Sequence, residues 1–301
     1  MLNTTFLNKQ FKNPIVLASG ILGVTGAGLA NIIKIGAGGV TTKSISLEPR
    51  EGHKNPVMMG NDHFFLNAVG LSNPGIENAL PEIAKLRSLT DAPIIGSIFA
   101  GTAEEFGVVA EKICTGPIDF LEVDISCPNV GAEFGRPFAY STEAVETITK
   151  IVKTKSTVPV IMKLSPNAWN IAEIAKAAES AGADAITAIN TAAGMMIDIE
   201  SRQPVLSNKV GGVSGPALFP IALKCVYDIY KAVKIPIIGT GGITTGRDGI
   251  AMIMAGATLL GVGSAMYYNK GTCFSKITAE MEEFMKAENI TSLEEIRGTA
   301  H

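Results

Sequence analysis

A cysteine that directly precedes a proline is the residue of this chain best placed for chemistry. Cys127 and Pro128 follow the β-type run 121–126. Proline fixes its own φ and disfavours helix at the residue before it, so the thiol is predicted in an irregular turn at the carboxyl end of a strand. Cys127 is therefore the first candidate catalytic residue. Cys114 and Cys225 lie in helical patterns. Free cysteines in such positions usually act as small buried apolar residues, so we do not expect them to be catalytic.

Two lysines are expected at strand ends in the same way. Lys43 lies in the run 39–44 and Lys163 in the run 160–165. Lysine is seldom buried without a partner. In the mouth of a site it would face an anion, an acidic side chain or, as a Schiff-base amine, a carbonyl substrate. A lysine that extends its ammonium group to solvent at the rim is the alternative.

Glycine-rich turns end two later β-type runs. They are Gly-Thr-Gly-Gly-Ile at 239–243 and Gly-Val-Gly-Ser at 261–264. Backbone N–H groups of such turns, together with a helix N-terminus, can hold a phosphate without a cationic side chain. Tight turns between strands and helices also use glycine, but two such turns after the last strands favour a phosphate site. Flavin mononucleotide (FMN) or a phosphorylated substrate would suit it.

Two further segments have the amino-acid composition of loops that bind ligands. The segment 67–75 is rich in asparagine and turn-forming residues. It would suit a polar planar ligand, although an ordinary solvated turn has the same composition. The segment 211–216 contains glycines that let backbone N–H groups approach an anion.

Alternating strands and helices must position these residues. Nearly continuous apolar β-type runs alternate with amphipathic helical patterns, which is typical of a parallel sheet covered by helices. Eight such units in 301 residues predict an α/β fold, a single TIM barrel over 1–301. A doubly wound sheet is the alternative, but the G-x-G-x-x-G fingerprint is missing after the first strand. The predicted strands are 15–19, 39–44, 94–99, 120–126, 160–165, 185–190, 237–241 and 259–264.

Helices are predicted over 103–115, 141–155, 170–181 and 216–233. Two connections are longer than the usual loop between a strand and a helix. They cover 45–93 and 191–215, and both would lie on the catalytic face of the barrel.

Composition excludes several function classes. The chain has 47% hydrophobic residues and a formal charge of −3, with no basic block, so a nucleic-acid surface is not indicated and a small-molecule partner is. The amino terminus lacks the pattern of a signal peptide, and no apolar run is long enough to cross a membrane. We therefore expect a cytoplasmic protein. The cysteines are widely spaced, so their spacing predicts no metal site or iron–sulfur cluster.

The order of motifs across nearly the whole chain resembles the catalytic subunit of class 1 dihydroorotate dehydrogenases, most closely the NAD-linked branch. The resemblance implies a TIM barrel with FMN on its carboxyl-terminal face, and the oxidation of dihydroorotate to orotate in pyrimidine synthesis. The motifs that carry it are Thr42-Lys43, 47–50, 67–71, 126–129, 163–166, Asn190-Thr191, 214–216 and 241–243.

The resemblance also implies roles for individual residues. Cys127 is expected to be the general base that removes the C5 proton while the C6 hydride passes to flavin N5. Lys43 would lie between flavin and substrate, and Lys163 would offset negative charge on the pyrimidine edge of the flavin. The implied substrate-binding residues are Lys43, Asn67, Ala68, Val69, Gly70, Leu71, Asp124, Asn129, Asn190 and Thr191. The implied FMN-binding residues are Ser19, Lys43, Ser44, Ser97, Asp124, Lys163, Ile189, Gly215, Gly241, Gly242, Gly263 and Ser264.

Two positions depart from the family pattern, because Asp124 and Ser97 stand where an asparagine is usual. An ionised carboxylate only accepts hydrogen bonds, and near a substrate carboxylate it would be repulsive unless a cation neutralises it. We therefore expect Asp124 to pair with Lys43. Ser97 can still form a hydrogen bond, with a shorter reach.

The chain shows no dinucleotide fingerprint, so reoxidation of a flavin implies a partner. The resemblance implies a separate subunit with FAD and a 2Fe-2S cluster that passes electrons to NAD, in a heterotetramer built on a homodimer of the catalytic chain. Fumarate is the alternative acceptor, whereas the quinone-linked branch normally adds an amino-terminal membrane segment. Three other functions are a flavoenzyme for another pyrimidine such as dihydrouracil, a Schiff-base aldolase using Lys163 or Lys43, and a flavin-binding protein without turnover.

Overall fold

The computed structural model describes residues 1–126, 138–268 and 271–301. Its strands are β1 (Thr4–Phe6), β2 (Lys9–Phe11), β3 (Ile15–Leu17), β4 (Gly39–Thr41), β5 (Met58–Gly60), β6 (Phe65–Asn67), β7 (Ile94–Ile98), β8 (Phe120–Asp124), β9 (Val160–Leu164), β10 (Ala185–Ala188), β11 (Ala192–Gly194), β12 (Ile197–Asp198), β13 (Gln203–Pro204), β14 (Gly211–Ser214), β15 (Ile237–Thr240) and β16 (Leu259–Val262). Its helices are α1 (Gly26–Lys34), α2 (Ile76–Leu89), α3 (Ala103–Ile113), α4 (Thr142–Lys155), α5 (Ile171–Ser180), α6 (Phe219–Ala232), α7 (Gly246–Met254), α8 (Ala265–Tyr268) and α9 (Cys273–Ala287), with 3₁₀ turns at Phe138–Tyr140, Pro216–Leu218 and Leu293–Glu295.

Eight of these strands pair in parallel and close a barrel in the order β3, β4, β7, β8, β9, β10, β15 and β16. The predicted TIM barrel is thereby confirmed. Each barrel strand begins at the predicted residue and ends one to three residues before the predicted end. The difference has a physical reason, because the last predicted residues leave the sheet and form the turns at the carboxyl end, where the candidate site residues lie.

The predicted helices are confirmed with small changes at their ends. Ser141 caps α4, since its side chain accepts a hydrogen bond from the Ala144 N–H group. Helix α5 ends before Gly182, which has a φ of +98° that favours glycine. No helix in the described ranges is long and apolar enough to cross a membrane.

The barrel interior has two layers because every second residue of a strand points inward. Towards the amino-terminal end, Ile95 pairs with Phe120 on the next strand, and all their inward neighbours are apolar. The hairpin β1–β2 closes this end, with the rings of Phe6 and Phe120 5.5 Å apart. We call this set the apolar layer, and it comprises Val16, Ile95, Phe120, Ile161, Ala185, Ile238 and Leu259.

The second layer begins two residues further along the same strands. Ser97 pairs with Glu122, and Lys163 pairs with both Asp124 and Thr187. All of these side chains are buried. We call this set the polar layer, and it comprises Ser97, Glu122, Asp124, Lys163 and Thr187.

The two long connections contain regular structure that the sequence analysis missed. They form an antiparallel sheet in the order β11, β14, β6 and β5, and the connection 45–93 also contains the barrel helix α2. Within the sheet, Asn67 of β6 is the register partner of Gly212 of β14. Each strand has only three or four residues, too few for an alternation of apolar and polar residues to mark it, and the pairing of β6 with β14 joins residues distant in the chain.

Candidate active site at the carboxyl end of the barrel

The polar layer opens into the candidate site, and Lys163 is its central cation. Its side chain is 7% exposed, and its Nζ lies 3.7 Å from Glu122 Oε1 and 3.9 Å from Asp124 Oδ2. Burial alone lowers the pKa of this ammonium group, but attraction to Glu122 and Asp124 outweighs burial and the net pKa is raised. The surroundings of Lys163 thus favour its charged form.

Lys43 is the second cation of the site, at the turn after β4. Burial lowers the pKa of its ammonium group; the charge of Asp124 opposes this shift, and the positive charge of Lys163 adds to it. A lysine with a lowered pKa loses its proton at a lower pH than an exposed lysine does. The pKa values of Lys43 and Lys163 are therefore shifted in opposite directions.

The structure corrects the expected pairing of Asp124 with Lys43. The ion-pair partner of Asp124 within the described ranges is Lys163. Lys43 interacts with Asp124 only through longer-range electrostatic attraction. The reason is register, because Asp124 on β8 and Lys163 on β9 are direct neighbours in the sheet. The Asp124 carboxylate also accepts hydrogen bonds from Ser126 and, at 3.3 Å, from Asn190 Nδ2.

Glu122 is a buried charged residue that the sequence analysis did not select. The Ser97 hydroxyl donates to its Oε1 at 3.1 Å, and the Thr187 hydroxyl donates to its Oε2 at 2.9 Å. The signal was available, since Glu122 lies two residues before Asp124 and must share its inward face. A glutamate at such a position can be buried only with partners.

A row of hydroxyl groups joins Glu122 to the first barrel strands. Ser97 Oγ lies 3.0 Å from Ser44 Oγ, which in turn lies 3.0 Å from Ser19 Oγ. Ser19 also donates to the carbonyl oxygen of Thr42 at 2.8 Å. Three residues predicted to bind a cofactor, Ser19, Ser44 and Ser97, are thus brought together by hydrogen bonds.

The glycine turns follow β14, β15 and β16. Gly215, Gly241 and Gly242 have φ values of +90°, +129° and +73°, which non-glycine residues seldom adopt. A Cβ atom on Gly242 would lie 2.5 Å from the backbone nitrogen of Phe219, and one on Gly241 would lie 3.5 Å from Ile189. These glycines therefore permit a close approach of the backbone segments around α6. Gly263 and Ser264 lie just before α8.

The substrate-loop residues predicted at 67–71 are held against the barrel mouth. Asn67 Nδ2 donates to the carbonyl oxygen of Gly212 at 3.3 Å, and Gly212 packs directly against Thr191. His53 holds Ala68, whose carbonyl oxygen lies 3.1 Å from the imidazole Nδ1. Gly70 and Leu71 have φ values of +76° and +59°, so the loop turns sharply after Val69. Asn67, Thr191 and Asn190 accordingly border one opening.

The candidate base Cys127 and the neighbouring Asn129 lie outside the described residues. Ser126, the last described residue before them, lies in the cluster with Asp124 and Asn190. Among the cysteines that the structure describes, burial raises the pKa of the Cys225 thiol to about 11 and also raises that of Cys273. A raised pKa disfavours the reactive thiolate.

FMN can be tested against the site through a buried polar atom. The Thr240 hydroxyl oxygen has no hydrogen-bond partner in the described part of the chain. It lines a cavity shared with Ser19, Lys163 and Gly261. A buried hydroxyl without a partner is costly, and the small cavity beside it has room for a water or one polar atom of a ligand that would satisfy it. The cations, hydroxyls and glycine turns have the chemistry that a flavin and its phosphate require, so the residues fit the cofactor.

Comparison with known proteins identifies the family. The family described as dihydroorotate dehydrogenase matches residues 1–285. The chain belongs to the dihydroorotate dehydrogenase family. It is 47% identical over 307 residues to the catalytic subunit of dihydroorotate dehydrogenase B (NAD(+)) from Methanocaldococcus jannaschii, covering 100% of this chain and 98% of that protein.

Two more proteins with the same description support this membership. The chain is 46% identical to the one from Methanosarcina mazei, over 99% of this chain and 94% of that protein. It is 43% identical to the one from Pyrococcus abyssi, over 100% of this chain and 99% of that protein. The resemblance inferred from the motifs is confirmed. Dihydroorotate dehydrogenases generally depend on FMN.

Proposed function

We propose that this chain oxidises (S)-dihydroorotate to orotate in de novo pyrimidine synthesis, as the catalytic subunit of an NAD-linked dihydroorotate dehydrogenase. One observation carries the proposal. The buried Lys163 and the half-buried Lys43 lie within electrostatic reach of each other at the carboxyl end of the barrel, in a chain that is similar over its full length to such subunits. Dihydroorotate carries a carboxylate and gives up a hydride, so its enzyme needs fixed positive charge at the site of reduction.

FMN is the proposed cofactor, and when bound it accepts the hydride from C6 of the substrate. Lys163 would hold the pyrimidine edge of the flavin, where its raised pKa keeps a positive charge available. Gly215, Gly241 and Gly242, with Gly263 and Ser264, would hold the phosphate through backbone N–H groups. The other proposed contacts are made by Ser19, Lys43, Ser44, Ser97, Asp124 and Ile189.

The substrate would lie between Lys43 and the Asn67–Leu71 loop. Asn67, Asn129, Asn190 and Thr191 supply amide and hydroxyl groups for its ring and its carboxylate. Cys127 is the proposed base that removes the proton at C5. A free thiol has a pKa of about 8.5, so this step should speed up towards alkaline pH.

The electrons would leave through a partner subunit. The relatives are described as catalytic subunits, which supports a partner for this chain as well. We propose that the partner carries FAD and a 2Fe-2S cluster and delivers the electrons to NAD, and that two catalytic chains form the centre of a cytoplasmic heterotetramer.

A second candidate is a flavoenzyme for a pyrimidine that lacks the carboxylate. It is favoured by Asp124, whose carboxylate lies 3.9 Å from Lys163 and takes up part of the positive charge of the site. Repulsion between Asp124 and a substrate carboxylate would disfavour dihydroorotate.

The test is an anaerobic visible spectrum of the purified chain loaded with FMN, recorded before and after dihydroorotate is added. Bleaching of the flavin band is the expected result, since it requires cofactor, substrate and hydride transfer together. A band that bleaches only with dihydrouracil would favour the second candidate. Protein that takes up no FMN would overturn both.

A further inference from the structure

Glu122 is the buried charge that the proposed reaction leaves without a role. Its side chain is 4% exposed, and it lies in the polar layer of the barrel interior, where it neighbours Ser97 and Lys163. An ionised carboxylate at such depth is expensive unless every oxygen has a partner. Both oxygens have one, from Ser97 and Thr187, and the Lys163 ammonium lies 3.7 Å away.

These contacts suit a carboxylate at Glu122. The hydroxyls of Ser97 and Thr187 lie 3.1 Å and 2.9 Å from its two oxygens, and a carboxylate can accept from both. The neighbouring ammonium group favours the same form. Glu122 therefore brings a fixed negative charge to the floor of the site.

Lys163 lies between two carboxylates, since Glu122 and Asp124 each have an oxygen within 4 Å of its Nζ. Glu122 precedes Asp124 by two residues on β8, so it approaches the Lys163 ammonium from deeper in the barrel.

We propose that Glu122 is a positioning residue: it anchors Lys163 and offsets part of its charge, and thereby lowers the reduction potential that FMN would have when bound in this site. The inference rests on the proposed function, since it requires FMN in this site. Reduced flavin carries the greater negative charge, so any negative charge nearby disfavours reduction.

The hydroxyl row ends at this carboxylate. Ser97 donates to Glu122 at 3.1 Å, and Ser44 Oγ lies 3.0 Å from Ser97 Oγ. A glutamine at position 122 can still accept from Ser97 through its carbonyl oxygen. Glu122→Gln therefore removes the charge and keeps the shape and most of the hydrogen bonds.

The experiment measures the midpoint potential of FMN bound to the purified full-length chain at pH 7, by anaerobic spectroelectrochemical titration. We expect Glu122→Gln to bind FMN with a more positive potential. An increase of about tenfold in the preference for reduced over oxidised FMN corresponds to about 30 mV for a two-electron couple. Glu122→Asp keeps the charge and should stay close to the wild type.

The matched control is Glu111→Gln, which removes a carboxylate from an exposed pair with Lys155 on the outside of the barrel. Water and salt screen that charge, so the potential should not change. Thr187→Val is a second test that spares the charged residues. It removes the donor to Glu122 Oε2 but keeps the carboxylate, so the potential should not become as positive as in Glu122→Gln.

Three results would overturn the inference. They are an unchanged potential in Glu122→Gln, a shift to more negative potential in Glu122→Gln, and a shift in Glu122→Asp or Thr187→Val as large as that in Glu122→Gln. The proposed function fails in a different way, because wild-type protein would then take up no FMN before any variant is made. That result would overturn both proposals.

Discussion

The two layers of the barrel interior are built from the same strands and differ in what they can do. In the apolar layer, Ile95 and Phe120 pair side by side and pack against Phe6 of the hairpin β1–β2. Two residues further along, Ser97 and Glu122 form a hydrogen bond instead. The amino-terminal end contributes stability, and the carboxyl-terminal end holds preorganised charge, which is the usual division in barrel enzymes.

The buried charges of the polar layer depend on the apolar layer next to them. The polar layer can hold Lys163, Glu122 and Asp124 out of water because their partners come from neighbouring strands whose positions the apolar layer secures. Changes at the carboxyl end should therefore alter rates, affinities and potentials. Changes in the apolar layer and below it should alter stability.

The largest expected effect is on the rate, from Cys127→Ser. A hydroxyl is a far weaker base than a thiolate, and general base catalysis contributes about 10²- to 10⁴-fold. We expect FMN to stay bound and its reduction by dihydroorotate to slow by about that factor, as measured by anaerobic stopped-flow absorbance. Cys114→Ser at the end of α3 is the control. Undiminished reduction in Cys127→Ser would exclude the proposed base.

The next largest effect is on stability, from Phe120→Ala in the apolar layer. Removing a fully buried phenylalanine costs about 3–5 kcal/mol of the free energy of unfolding, because apolar contacts are lost and a cavity is left. Urea unfolding measures it, with Val108→Ala at an exposed position of α3 as control. The rate of flavin reduction per bound FMN should stay within about twofold. A large loss of rate at full FMN occupancy would break the division between the layers.

A smaller effect is expected from Asp119→Asn, just below the apolar layer. Burial raises the pKa of this carboxyl, but hydrogen bonds from Lys9 and the Ile94 N–H group and the charge of Arg87 outweigh burial, so the pKa is lowered. A carboxylate with a lowered pKa stabilises the fold above its unfolded pKa, and that stability disappears as pH falls through the folded value.

We therefore expect Asp119→Asn to lower the free energy of unfolding by about 1–3 kcal/mol at pH 7. The difference from the wild type should shrink as the pH falls below about 4. Urea unfolding at a series of pH values measures it, with the exposed Asp91→Asn as control. A difference that stays constant down to acid unfolding would show that the charge of Asp119 is not the cause.

The smallest effect is on substrate affinity, from Asp124→Asn in the polar layer. Removing the carboxylate leaves Lys43 and Lys163 less neutralised, so an anionic substrate should bind more tightly. We expect the KM for dihydroorotate to fall by about threefold to tenfold. Asp228→Asn on the outer face of α6 removes the carboxylate of an exposed pair and is the control. A KM that rises or stays the same would contradict repulsion between Asp124 and the substrate.

Much of the site could be predicted because parallel strands bring their carboxyl ends together. Lys43, Asp124, Lys163 and Asn190 come from four different strand ends, and their side chains interact through ion pairs, hydrogen bonds or charge at short range. Which pairs form could not be predicted, because that depends on register across strands. Asp124 lies opposite Lys163 in the sheet and therefore pairs with it.

The sequence by itself determined the barrel and its family. Apolar β-type runs mark where each barrel strand begins, and short motifs distributed along the whole chain identify a dihydroorotate dehydrogenase. Both signals lie in short stretches of the chain, so they can be recognised without the tertiary structure. The tertiary structure decided what depends on contacts between distant residues: the sheet that holds Asn67 against Gly212, the choice of Lys163 over Lys43 as the partner of Asp124, and the burial of Glu122. The cost of a buried charge depends on neighbours from other strands, and only folding brings those neighbours together.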